Sequence, residues 1–204
     1  MTRVERSLVD VVVFDVGGVL SSPEGGTAEL AAALELPRDV FAPPYWRHRD
    51  AYDLGGDLLA YWRAVVADLG LDLPPERLRE LDALDAARWS RLAPGLQELL
   101  DRVLGAGLRL GVLSNAPASL AARVRAAGWG EPAEHLLFSC ELGAAKSDPA
   151  VYEAVERTFG VPAHRIAFFD DRPVNTAAAA ERGWRALLWQ GAEDAARQLD
   201  ALGA

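Results

Sequence analysis

A chain of 204 residues leaves room for one domain, or for one domain carrying a sizeable insertion. Half of the residues are apolar and a quarter charged, which suits a folded chain with a real core. Thirty acidic residues against 21 basic give a net charge of −9, which opposes nucleic-acid and anionic-membrane binding, and the single cysteine, Cys140, excludes a disulfide framework or a multi-cysteine metal site.

Arg3 and Arg6 ahead of the apolar run Leu8–Leu20 faintly resemble a signal peptide, but Asp10 and Asp15 interrupt the run. No stretch approaches the roughly eighteen uncharged apolar residues that a membrane span needs. The expectation is a cytoplasmic protein with no nucleic-acid or membrane partner; the oligomeric state stays open.

The first element is a β-branched run, Val9–Phe14, suited to a strand buried on both faces. It stops at Asp15, and Gly17-Gly18 supplies a tight turn. About seventy residues then read as all-helical. Leu58, Tyr61, Trp62, Val65, Val66 and Leu69 form one stripe, and Leu78, Leu81 and Trp89 part of another. Pro37, Pro43-Pro44 and Pro74-Pro75 read as joints between short helices. Trp62 and Trp89 are expected in the core of this helical segment.

From Leu96 the pattern alternates. A helix ending at Gly105 is followed by a strand, Leu108–Leu113, closing on Ser114-Asn115. A helix through Leu120 and Val124 precedes a strand over His135–Ser139. Asp148 caps a helix over Pro149–Phe159, stopped by Gly160. A strand over Arg165–Phe169 closes on Asp170-Asp171, and a helix over Val174–Arg182, a strand over Arg185–Trp189 and a helix over Ala192–Leu202 complete the chain. Such alternation predicts an α/β parallel-sheet core, Rossmann-like, with helices on both faces and a small all-helical cap inserted after the first strand. The expected boundaries are 1–21 and 93–204 for the core and 22–92 for the cap.

Ligands of open parallel sheets bind beyond the carboxyl ends of the strands. Three strands end there in polar residues: Asp15, Ser114-Asn115 and Asp170-Asp171. Taken alone, each has a plain structural reading: Asp15 ends a strand, Ser114-Asn115 caps the next helix, and Lys146 is a solvated loop lysine. Together they read as a site. Three converging carboxylates repel one another unless a cation sits among them, and an oxygen-only donor set points to a hard divalent ion, magnesium first.

These segments resemble the motifs of the haloacid dehalogenase (HAD) superfamily. Val11–Leu20, with Phe14-Asp15-Val16-Gly17-Gly18-Val19 at its centre, is similar to the first motif, and Leu113-Ser114-Asn115 to the second. Gly143–Lys146 with Ser147-Asp148-Pro149 resembles the third, and Phe168–Asn175 the fourth. All four stand in family order, and the insertion falls where the family places a helical cap.

The resemblance implies an enzyme, a phosphatase, with Mg2+ as cofactor and a small phosphorylated metabolite as substrate. Asp15 would be the nucleophile, forming an aspartyl-phosphate. The metal would be held by Asp15, the Gly17 carbonyl, Asp171 and, directly or through water, Asp170. Ser114, Asn115 and Gly18 would bind phosphoryl oxygens, and Lys146 would neutralise charge on both nucleophile and phosphoryl group.

One position departs from the pattern. Most family phosphatases carry a second aspartate two residues after the nucleophile, as general acid and base, where this chain has Gly17. That contribution is worth roughly 10²–10⁴-fold. The cluster Tyr45–Asp50 offers His48 or Asp50 as a substitute and Arg47 and His48 as cap contacts; the plainer reading makes it a solvated helix face with Trp46 packed into the cap. Gly17 also keeps open a catalytically weak or silent domain that binds a phosphorylated ligand or a protein partner. A metal-independent 2-haloacid dehalogenase is a further alternative, against which Asp170-Asp171 argues.

Overall fold

The computed structural model describes residues 7–23 and 25–203. The arginines of the signal-like segment and the first residues of the expected core lie outside them. Five parallel strands form one sheet in the order β3-β2-β1-β4-β5: β1 (Val11–Phe14), β2 (Arg109–Ser114), β3 (His135–Phe138), β4 (Ile166–Asp170) and β5 (Arg185–Leu188). Strand β1 lies in the middle, with Phe14 in register with Val112 on one side and Phe169 on the other.

The apolar run of β1 is explained by burial on both faces. Val12 and Phe14 pack with helices α6 (Leu96–Gly105), α7 (Ala118–Ala126) and α11 (Ala192–Ala201). Val11 and Val13 pack on the opposite side with α9 (Pro149–Phe159) and α10 (Pro173–Glu181). Period-two alternation thus assigns neighbouring valines to different layers, and both layers are dry. The strand is two residues shorter than its β-branched run. A second boundary moves at Ser139, which leaves β3 to open the short helix α8 (Ser139–Leu142), because its hydroxyl is engaged with the loop after β2.

Between β1 and α6 lie α1 (Ala28–Ala33), α2 (Arg38–Arg47), α3 (Arg49–Asp53), α4 (Leu58–Asp68) and α5 (Pro75–Trp89). They enclose a separate apolar cluster that includes Leu30, Phe41, Trp62, Val65, Leu78 and Leu81. The two ends of this segment meet: the Ala93 N–H donates to the Leu20 carbonyl at 2.8 Å. Pro43-Pro44 is no joint but lies inside α2. Proline there removes two ladder donors, yet Phe41, Pro44 and Tyr45 are all buried, and their packing holds the helix together.

Candidate active site

The carboxyl ends of β1, β2 and β4 bring Asp15, Ser114 and Asp170 together, and all three are buried. The loop before α9 delivers Lys146, also buried, whose Nζ stands 2.5 Å from Asp15 Oδ2 and 2.6 Å from Asp170 Oδ2. Asp15 Oδ1 accepts from the Val16 N–H at 2.6 Å. Burial pushes Asp15 up to about 6; Lys146 and the Ser114 hydroxyl pull it down, and Asp170 adds to the rise. Burial pulls the Lys146 ammonium down, but Asp15 and Asp170 outweigh it and hold it above its ordinary value. The lysine is therefore a fixed positive charge between two carboxylates.

Two asparagines position this pair. Asn115 Oδ1 accepts from the Lys146 backbone N–H at 2.8 Å, latching the lysine loop to the end of β2. Asn175 donates to both oxygens of Asp170. The side-chain latch by Asn115 and the clamp by Asn175 are roles that residue types and spacing did not disclose. The only hint was that Asn175 stands five residues beyond Asp170, in the first turn of α10.

Asp171 lies at the mouth of the site, where partial burial and the Asp170 charge push it up. Oxygens of Asp15, Asp170 and Asp171 all lie within 4.8 Å of one another. Gly17 lines the same cavity, and its carbonyl receives no hydrogen bond from the described residues. Hard oxygen donors with no imidazole or thiolate among them fit magnesium. Gly18 is required twice over. Its φ is +76°, and a Cβ would stand 2.3 Å from Asp171 Oδ2.

Apart from the fully buried Asp170, these groups line one cavity of about 550 Å³. Its other wall comes from the helical insertion, and here the structure departs from expectation. Arg47 and His48 line no part of it: both pair with Asp68 at the end of α4, at 2.6 and 2.9 Å. Trp46 is not packed into the insertion's core but is 52% exposed and faces the cavity, because Tyr45, one residue earlier on α2, takes the inward direction. Trp89 likewise lines the cavity rather than the insertion's core. Asp50 does line it, together with Arg49 and Asp53.

A buried network holds this wall. Trp89 Nε1 donates to the Tyr45 hydroxyl at 3.1 Å, and that hydroxyl donates to Asp85 at 3.0 Å. Arg49 Nη1 donates to both, at 2.6 and 2.7 Å, while its Nε donates to Asp53 Oδ1 at 2.7 Å. Trp46 and Trp89 meet edge to face with centroids 6.3 Å apart. The cavity therefore has an ionic floor, a partly aromatic roof and an arginine whose charge is compensated.

Residues 9–183 match the sequence family described as haloacid dehalogenase-like hydrolase. Phosphatase MT3486 of Mycobacterium tuberculosis is 31% identical over 210 residues, spanning 96% of each chain. Among solved structures, a HAD family enzyme of Bacteroides thetaiotaomicron in complex with magnesium and inorganic phosphate superposes with a TM-score of 0.67 at 15% identity, covering 88% of this chain and 93% of its own. The L-2-haloacid dehalogenase of Xanthobacter autotrophicus, with chloropropionic acid covalently bound, gives 0.66 at 22% identity, covering 95% and 83%. The fold is thus shared with a HAD family enzyme bound to magnesium and inorganic phosphate and with a 2-haloacid dehalogenase.

Proposed function

The chain belongs to the haloacid dehalogenase-like hydrolases, and on that premise we propose that it is a magnesium-dependent phosphatase acting on a small phosphorylated metabolite. The observation that carries the reading is the convergence of Asp15, Asp170 and Asp171 within 4.8 Å, with Lys146 bridging the first two. The phosphatase name of the Mycobacterium tuberculosis relative supports it. So does the magnesium and phosphate complex of the Bacteroides thetaiotaomicron neighbour.

Asp15 attacks phosphorus through a carboxylate oxygen, the bond to the leaving oxygen breaks, and an aspartyl-phosphate forms. Ser114 and the backbone N–H of Asn115 hold phosphoryl oxygens, while Gly18, whose own N–H donates to the Ser21 carbonyl at 2.8 Å, leaves room for Asp171 beside them. Lys146 balances charge on the nucleophile and on the transferring group. Asp15, the Gly17 carbonyl, Asp170 and Asp171 would hold magnesium, which supplies further charge neutralisation at the phosphoryl oxygens when bound. Water then attacks phosphorus, releasing inorganic phosphate and restoring the Asp15 carboxylate.

A dehalogenase working without metal has no use for three acids at such close range, and the likeness to dehalogenase structures is one of fold. Phosphate release from an aryl phosphate and from a panel of alkyl and sugar phosphates tests the proposal, with wild type and Asp15→Asn, with and without magnesium. Turnover is expected only with both the metal and Asp15. Halide release from a 2-haloacid without magnesium would overturn the proposal, and so would silence toward every ester by a chain that binds magnesium.

A further inference from the structure

Gly17 has no side chain to protonate the departing oxygen, so the acid must come from elsewhere in the cavity. His48 is turned away onto Asp68. Asp50 lines the cavity but is exposed, and its carboxylate has no side-chain partner among the described residues. Asp53 lines the same cavity and is held through one carboxylate oxygen and through its backbone carbonyl.

We propose that Asp53, at the end of α3, donates the proton to the leaving oxygen and then serves as base toward the hydrolytic water. The inference rests on the phosphatase reading of this site and deepens it.

Three observations place Asp53 for this work. Its Oδ1 accepts from Arg49 Nε at 2.7 Å, while Oδ2 is engaged by no described residue. Its backbone carbonyl accepts from the Ser139 hydroxyl, which in turn accepts the Ala116 N–H at 3.0 Å. Ala116 follows Asn115, so the loop assigned to phosphate binding and the residue assigned to the leaving group are tied through one serine. The chain then turns at Gly55, where φ is +95° and a Cβ would lie 3.1 Å from the Cys140 carbonyl oxygen, so this corner sits directly on α8. Asp53 is thereby held by the core as well as by the insertion.

The groups around its carboxylate are Arg49 and Asp50 from its own helix, Asp85 from α5 and Cys140 from α8. Burial pushes Asp53 up to about 6, Arg49 pulls it down, and Asp85 and Asp50 add to the rise. A carboxyl poised there can give a proton near neutrality and take one back.

Atoms balance over the two halves. As Asp15 forms its bond to phosphorus, the Asp53 proton passes to the leaving oxygen and an alcohol departs. As water attacks the aspartyl-phosphate, its proton passes to the Asp53 carboxylate, inorganic phosphate leaves and both acids are restored. Gly17 itself is not dictated by space: a Cβ there would meet the Trp89 ring at 3.7 Å, an ordinary contact.

The test uses the full chain with magnesium, p-nitrophenyl phosphate and a set of alkyl phosphates. Asp53→Asn retains an oxygen for Arg49. It is expected to lower kcat on alkyl esters by roughly 10²–10⁴-fold and to flatten the basic limb of the pH profile, while the acid limb set by ionisation of Asp15 remains. On the aryl ester, whose leaving group needs no proton, it should release a burst of about one nitrophenol per enzyme and then stall. Adding Gly17→Asp to Asp53→Asn should restore part of the turnover, which no merely structural role for Asp53 would allow. Wild-type turnover of alkyl esters with an unaltered Asp53→Asn rate and pH profile overturns this inference and leaves the phosphatase reading standing. Equal losses on the aryl burst and on alkyl turnover, with no rescue, also overturn it. Should Asp53→Asn fail to melt cooperatively, Asp53→Ser carries the same comparison. A wild type inert toward every ester removes both readings.

Discussion

Asn175 donates its side-chain amide to both carboxylate oxygens of Asp170, at 2.9 and 3.0 Å. The Arg172 N–H and the Lys146 ammonium take up the remaining directions, so this fully buried acid is held in one orientation. Asn175 is itself fixed, since its backbone carbonyl accepts from the Tyr152 hydroxyl at 2.9 Å.

Removing the amide frees Asp170 to rotate and leaves its oxygens short of donors. Asn175→Ala is therefore expected to raise the magnesium concentration for half-maximal activity by roughly 10–100-fold, the usual effect of losing such a support. Titration of activity with magnesium measures it, with circular dichroism as the check on folding. An unchanged requirement would mean that Arg172 and Lys146 alone suffice.

Ser147 follows Lys146 with a φ of +86°, a backbone region that residues with a Cβ avoid. Ser147→Gly relieves that strain but loosens the unfolded chain. The net effect expected is a stabilisation of about 0.5–1 kcal/mol, seen as a rise in Tm of about 1–4 °C. A fall in Tm would show that the serine side chain contributes more than its backbone conformation costs.

Glu156 on α9 accepts from Arg182 Nη2 and Nε at 2.9 and 3.0 Å and from Trp184 Nε1 at 2.9 Å. The Arg182 hydrogen bonds hold its carboxyl below the ordinary 4.5, against the rise that burial alone would cause. A carboxylate depressed in the folded state stabilises the fold above its unfolded value, and that contribution fades as pH falls through the folded value. Glu156→Gln should thus melt about 2–4 °C below wild type at pH 7, corresponding to about 1 kcal/mol at this partly solvated pair. The gap should close as pH drops below 4.5. A gap of constant size at every pH would assign the effect to packing instead of charge.

Much of the site was legible from residue order. Parallel strands buried on both faces are written as unbroken apolar runs, and each run announces its own carboxyl end where a polar residue interrupts it. Val11–Phe14 therefore places Asp15, Arg109–Leu113 places Ser114, and Ile166–Phe169 places Asp170, all at one edge of one sheet. Asp148 and Gly160 bound their helix as local capping chemistry dictates.

The insertion's wall is different in kind. Arg47, His48, Arg49 and Asp53 are near neighbours in sequence, and composition alone ranks them alike. Helical rotation of about 100° per residue and a break between α2 and α3 send the first two to Asp68 and the others to the cavity. Which of them faces the site is decided by the docking of α3 on Ser139 and α8, a contact between residues 86 positions apart. Strand ends follow from local pattern; the facing of a short amphipathic helix follows from what it packs against, and only the folded chain supplies that partner.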